Sequence, residues 1–410
     1  MVALGREGTP ADAILGVVPR EVVEPATLDE AAEVLAACAR DGRAVAFVGG
    51  GTELELGAPP RRLDVLLRTA RLARVVEHAP ADQIAVVEAG LPLGELQRRL
   101  RPHRQRLALD PPLAERATVG GVVAANAYGP RRHRFGAARD LVVGMSFVRA
   151  DGVLAKGGGK VVKNVAGFDV PRLLVGSLGT LALIGTVTFR LHPLPEADRT
   201  VLVPMLDAGG LRALAAALGQ AQLEPSAAAA LLTGDGFQLA LRFEGFPPGV
   251  AEQAQRLFAL CERLGHGVEP LEEEGARAFW ARHNAARSGG ALRARLTFPR
   301  TGLEPAERLA LRPLLASLGG AAAAIYPTLG VAFASGEPAD PGAAARAVTE
   351  ARAALAAAGG SLVVGAAPAE VRARVDPWGP PPPGLSLMRR VKAQLDPEER
   401  LAPGRFVGGI

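Results

Sequence analysis

The segment Ala44–Pro60 reads AVAFVGGGTELELGAPP, and its order of residue types decides between two folds. Ala44 to Val48 is a short apolar run, the pattern of a buried strand. The glycines Gly49, Gly50 and Gly51 follow it at once, with Thr52 behind them. A strand running into G-x-G-x-x-G invites a dinucleotide-binding reading, but Leu54 stands where the third glycine belongs. Pro59 and Pro60 also forbid the helix whose N-terminus would face a pyrophosphate. What survives is a glycine run whose successive backbone N–H groups can turn toward one anion, forming a nest. A tight structural turn is the plain alternative.

A second segment, Ala117–Gly129, reads ATVGGVVAANAYG and follows a Pro-rich turn that includes Pro111. Its small residues, among them Thr118, Gly120, Gly121, Ala124 and Asn126, let a backbone approach a large flat or extended ligand closely. Two such loops could clasp a pyrophosphate from both sides. A third stretch, Ala155–Asp169, reads AKGGGKVVKNVAGFD and is not a Walker motif, because Leu154 and Val161 replace its first glycine and its Ser/Thr. It holds Lys156, Lys160 and Lys163 in a chain whose remaining lysine is Lys392 and whose other cations are arginines. A lysine differs from arginine as a compact point charge with three rotating donors. An exposed basic turn is the alternative reading.

The chain has 410 residues, a formal charge of +5 and 49% hydrophobic residues, which fits a soluble globular protein of more than one domain. The basic stretches Arg98–Arg106 and Arg131–Arg134 lack interleaved aromatics, so nucleic acid is not implied. No apolar run reaches the roughly 18 residues of a membrane span. Cys38 and Cys261 sit in apolar helical patterns and read as buried thiols of a reducing cytoplasm. Two cysteines cannot supply an ordinary iron–sulfur cluster. The histidines, His78, His103, His133, His192, His266 and His283, show no metal-ligand spacing, so no metal is expected; His133 and His283 read as surface residues.

Residues 1–20 read as a loose arm. Thr27 as N-cap, Glu30 three residues on and Gly42 past the end frame a helix. Short strands and helices continue to Pro193 and Pro195, where the composition shifts. The expected division is therefore an N-terminal domain over 21–195 and a C-terminal α/β cap domain over 196–410. The second half alternates strand pairs with helices, which predicts an antiparallel sheet with helices on one face and an α+β class overall. After Pro380–Pro383, LSLMRRVKAQL is a last helix.

VGGGT, ATVGGVVAANAYG, the RD-to-RADG region and SLGTLALI together resemble the two-subdomain flavin-binding domain of the vanillyl-alcohol oxidase/p-cresol methylhydroxylase (PCMH) superfamily. The stretch from GGGKVVKNVAGFD to FRLHPLP and the C-terminal LMRRVKAQLDPEERLAPGRFVGGI resemble a narrower group, the FAD-binding subunit of bacterial glycolate oxidase. The resemblance implies FAD, with Gly49, Gly50, Gly51 and Thr52 at its pyrophosphate. It further implies Pro111, Thr118, Gly120, Gly121, Ala124 and Asn126 along the cofactor, and Thr180 and Ile184 at the flavin ring edge. Covalent members tether flavin through a histidine or another residue near these loops. Here Thr52 and Glu53 stand in that place, so FAD is expected without a covalent bond. Lys163 would supply charge to the reduced flavin, or else pair with Asp169 and hold the loop.

The same resemblance implies a 2-hydroxy-acid dehydrogenase complex acting on a small acid such as glycolate or lactate. Hydride would pass to flavin N5, and electrons would pass on to a second flavin subunit and an iron–sulfur subunit. The location would be cytoplasmic, or membrane-associated through those partners. Three departures weaken the catalytic part: Phe168 replaces a tyrosine, Ala402 replaces an asparagine, and Thr233–Leu239 lacks the family's His-bearing motif. No catalytic base is identified, and an FAD-bearing scaffold or electron-transfer subunit without substrate turnover is the alternative.

Overall fold

The structure, a computed structural model, describes residues 5–160 and 167–410. It divides into two compact units. The first comprises Met1–Gly129, Gly136–Leu194 and Pro380–Ile410; the second comprises Pro130–Phe135 and Pro195–Gly379. The expected division at 195 differs in two places. Pro380–Ile410 returns to the first unit, and Pro130–Phe135 belongs to the second, where Arg131 donates to Glu244 at 3.0 Å.

A four-stranded sheet in the first unit runs in the order Arg6–Glu7, Glu21–Val23, Val65–Arg68, Val45–Val48. The last three strands are parallel, and the helix Leu28–Arg40 makes the crossover. Thr27 caps that helix by accepting from the Glu30 amide at 3.1 Å, while the Glu30 carboxylate accepts from Ala26. A cap of this kind contributes about 1 kcal/mol. Ala31, Val34, Leu35 and Cys38, spaced for one helix face, pack on Val45 and Leu67 of this sheet and on Val148 and Leu183 of the next. Cys38 is thus a core residue, and burial pushes its thiol pKa up. The second sheet is antiparallel, ordered Val75–Ala79, Ile84–Glu88, Leu183–Arg190, Val142–Val148, Leu154–Gly158.

Both ends of the chain complete this unit. Residues 5–20 are not a loose arm: Arg6 makes a two-pronged contact with Asp12 at 2.7 and 2.6 Å, and Ile14 is 1% exposed. At the other end, Val45 donates to the Arg400 carbonyl and Ala402 donates back to Val45, at 2.8 and 2.7 Å. The C-terminal chain so pairs along the outer edge of the strand that leads into the glycine run.

The second unit is an eight-stranded antiparallel sheet, ordered Glu269–Leu271, Ala197–Leu206, Gly236–Gly245, Ala227–Thr233, Leu318–Tyr326, Val331–Pro338, Leu292–Thr297, Ser361–Ala366. Side chains alternate between its faces. Val201, Val203, Leu239 and Leu241 meet the helices Ala208–Gln220 and Pro247–Arg263 on the expected helical face, and Pro341–Ala357 packs against Ser361–Ala366 and Val331–Pro338. Leu202 and Ala240 turn the other way, against Phe279 and Ala286 of the helix Glu273–Ser288. This helix on the reverse face was not expected. Its buried stripe is Phe279, His283 and Ala286, too polar to stand out as an apolar period.

His283 corrects the surface reading. It is 0% exposed, with Nε2 3.0 Å from Tyr326 Oη and Nδ1 3.2 Å from Asn284 Oδ1. His133 is half-buried and hydrogen-bonded to Thr328 Oγ1 at 2.8 Å. Burial, helped by the Arg287 charge, lowers the His283 pKa to about 3, so the ring is neutral in the fold. The unfolded ring takes up a proton near pH 6.5, whereas the folded ring does not. Stability is therefore lost as pH falls below about 6.5, by up to about 1.4 kcal/mol per unit from this group. Both tryptophans, Trp280 and Trp378, lie in this unit and report its unfolding. Urea midpoints followed by their fluorescence should fall from pH 7 to 5, and His283→Gln should flatten that slope. An unchanged slope would remove His283 as its source.

Candidate functional site: a glycine-lined cleft

The strand Val45–Val48 delivers its glycines against the second small-residue loop at backbone distance. A Cβ on Gly49 would stand 2.0 Å from Thr118 Oγ1, and one on Gly50 would stand 1.8 Å from the Arg116 carbonyl oxygen. A side chain at either place would push the loops apart. Gly51 has φ +71°, a conformation that L side chains rarely adopt. Among the described residues, none accepts a hydrogen bond from the amides of Gly49, Gly50, Gly51 or Thr52. These residues line a cleft of about 820 Å³, counting space open to solvent. Successive uncommitted amides at a cleft wall suit a phosphate-bearing ligand.

The other walls come from three further segments. Gly120, Gly121, Ala124 and Ala125 belong to the helix Val119–Ala125, which is fixed by Gly120 donating to Ala89 at 2.7 Å and Val119 donating to Leu91 at 2.9 Å. Leu178 and Gly179 form a turn with φ of 51° and 72°, tied to the Ala124 carbonyl at 2.9 Å. Ala182, Leu183 and Ile184 continue that wall. Ala402 and Arg405 arrive from the C-terminal return. Arg405, 4% exposed, donates to the carbonyls of Leu54 at 2.9 Å and Leu56 at 2.7 Å. It thereby braces the loop that follows the glycine run.

Gly49, Gly50, Gly51, Thr52, Gly120, Gly121, Ala124 and Ile184, all expected from the sequence, line the cleft. The other expected positions stand behind it. Thr118 caps the Val119–Ala125 helix through the Gly121 amide, and Asn126 ends it with φ 49°. Pro111 is buried beside this loop. Thr180 is 1% exposed, its hydroxyl donating to the Ser177 carbonyl at 2.7 Å. Lys163 lies outside the described residues. Lys160 is exposed and ion-paired with Glu77, away from the lining, and Asp169 pairs with Arg172 at 3.3 Å. Phe168 is 95% exposed.

Several lining residues had no sequence signal of their own. Ile14, Phe47, Thr69, Ala89 and Leu178 look like ordinary core or loop residues until the chain folds. Arg405 had a faint one, a cation directly after Pro403–Gly404. None of the described lining residues is a histidine, cysteine or tyrosine, the side chains that could form a covalent bond to a flavin. Among the described residues, no group of His, Cys, Asp and Glu could hold a metal ion.

Comparison with known proteins agrees with this geometry. Residues 19–158 match the model of a family described as FAD binding domain. All of that stretch but Pro130–Phe135 lies in the first unit. The chain is 38% identical over 182 residues to D-lactate dehydrogenase of Archaeoglobus fulgidus, covering 44% of this chain and 40% of that one. It is 30% identical over 227 residues to glycolate oxidase subunit GlcE of Escherichia coli, covering 55% and 63%. It matches substrate-bound p-cresol methylhydroxylase with a TM-score of 0.76 at 16% identity, over 95% of this chain and 89% of the other. The fold is therefore the PCMH-type FAD-binding fold, joined to an antiparallel sheet with helices. The matched regions span about two fifths of several curated relatives' length and 63% of the glycolate oxidase subunit's.

The close approach makes a specific expectation. Gly50→Ala should displace the glycine run from Arg116 and weaken FAD binding at least about tenfold, equivalent to about 1.4 kcal/mol. Titrating FAD into apoprotein by flavin fluorescence measures this. An unaltered dissociation constant would mean that the run is only a turn.

Proposed function

We propose that this protein is the FAD-binding subunit of a 2-hydroxy-acid dehydrogenase complex, with glycolate or lactate as the type of substrate. The observation that carries the reading is the row of uncommitted amides from Gly49 to Thr52, set in a cleft of small residues within an FAD-binding domain. Those amides would hold the pyrophosphate, and Arg405 would keep their loop in place. Gly120, Gly121 and Ala124 would let the cofactor lie against backbone. FAD would be held without a covalent bond, since Thr52 and Glu53 follow the run and the described lining holds no group suited to tether it. When bound, FAD supplies a two-electron acceptor for hydride from the substrate carbon.

The likeness to a glycolate oxidase subunit supports the subunit role, since it runs over 227 residues where that to D-lactate dehydrogenase runs over 182. Electrons would leave through partners, a second flavin subunit and an iron–sulfur subunit. Cys38 and Cys261, each buried and in separate units, cannot together ligate a relay in this chain. No helix among the described residues is long and apolar enough to cross a membrane. A cytoplasmic location, or attachment to a membrane through partners, fits the reading. A second reading, an FAD-bearing scaffold or electron carrier without its own turnover, is favoured by Phe168, which stands fully out in solvent where its family counterpart is a tyrosine.

The visible spectrum of the purified chain comes first, followed by acid precipitation. A flavin band that passes into the supernatant is expected; flavin retained in the pellet would overturn the non-covalent assignment. Anaerobic glycolate or D-lactate should then bleach the band. A band that persists with the isolated chain but bleaches with its partners present assigns turnover to the complex. No flavin uptake, even with added FAD, would sink the proposal.

A further inference from the structure

The helix Leu385–Leu395 buries Lys392, while Leu387 and Met388 stand 58% and 37% exposed. A helix that hides its lysine and shows its leucine is not organised for apolar packing. Lys392 is 2% exposed, and its ammonium has three donors. They reach the Thr180 carbonyl at 2.7 Å, Asp396 Oδ2 at 2.6 Å and the Leu401 carbonyl at 3.0 Å. Asp396 is 0% exposed, and its Oδ2 also accepts from the Leu401 amide at 2.7 Å. A buried ion pair is a poor way to add stability, because desolvation offsets its attraction and apolar residues of similar size often do as well.

The pair instead joins segments that meet nowhere else in sequence. Thr180, behind the cleft, lies between Gly179 and Ala182, which line one cleft wall. Leu401 precedes Ala402, which lines the cleft, and pairs with Val45 at the head of the glycine-run strand. Arg405, three residues beyond Ala402, braces the loop after that run. We propose that Lys392 and Asp396 are positioning residues of the FAD cleft, fixing the Thr180 wall and the C-terminal wall at one spacing. This rests on the FAD reading above. Neither side chain lines the cleft, so the role is indirect.

The test replaces the pair by apolar residues of similar size, Lys392→Met with Asp396→Leu. The apo double variant should melt at or above the wild-type temperature, whereas its FAD dissociation constant should rise about tenfold or more. A stable double variant with wild-type FAD affinity would overturn the proposal. Should the variant fail to fold, amide hydrogen exchange of the wild-type protein decides. FAD should slow exchange across residues 391–397, outside the cleft lining, together with 178–184. Slowing confined to 178–184 would overturn the proposal. Wild-type protein that takes up no FAD would overturn the functional reading itself, a result distinct from either.

Discussion

The first unit depends on one steric constraint, the close approach of Gly49 to the Thr118 side chain and of Gly50 to the Arg116 carbonyl. Two loops about seventy residues apart can meet that closely only if the glycine run carries no side chain at the contact. The rest of the unit holds the two loops at that distance. The parallel strand Val45–Val48 brings in the first, and Ala89 and Leu91 receive the second through the amides of Gly120 and Val119. The contact occupies the flank of the glycine run and leaves its N–H groups uncommitted. Uncommitted donors shut away from water cost about 1–3 kcal/mol each, so such a row is tolerable only in a cleft reached by solvent or filled by an acceptor. The cleft is thus part of the fold's own energetics.

A second constraint is closure. In the four-stranded sheet Val45–Val48 is an outer strand, and a bare edge invites pairing with foreign chain. Arg400 to Ala402 cover it from the far end of the sequence. The unit is consequently complete only when its last residues have returned. The same return carries Arg405 to the loop after the glycines, so edge protection and cleft geometry are met by one segment.

What was legible in the sequence was what is local. Thr27 and Glu30 announced the first helix because a cap acts over three residues. Gly49 to Thr52 and Gly120, Gly121 and Ala124 stood out because close approach selects small residues whatever the distant partner. Ile14 and Leu178 were hidden, and Arg405 nearly so, because their roles arise from tertiary neighbours 30 or more residues away. The helix Glu273–Ser288 was missed because it faces the sheet with a histidine among its buried residues, and His283 was misread because a neutral buried imidazole has the same letter as an exposed charged one.

The lysines show how a physical premise can apply at a residue that local sequence does not single out. This chain uses arginine for nearly all its positive charge, and a lysine is useful where a compact ammonium must reach several oxygens in little space. That premise drew attention to Lys163, which lies outside the described residues, and to its neighbour Lys160, which is an exposed partner of Glu77. Among the described residues it is met at Lys392, whose three donors converge on Thr180, Asp396 and Leu401 from inside the protein. A planar guanidinium presents its donors in a fixed fork and could not serve oxygens arranged around a single point. Local density of lysines was the visible feature. The discriminating one was a buried lysine in a helix that leaves Leu387 and Met388 exposed, which becomes apparent only when burial is known residue by residue.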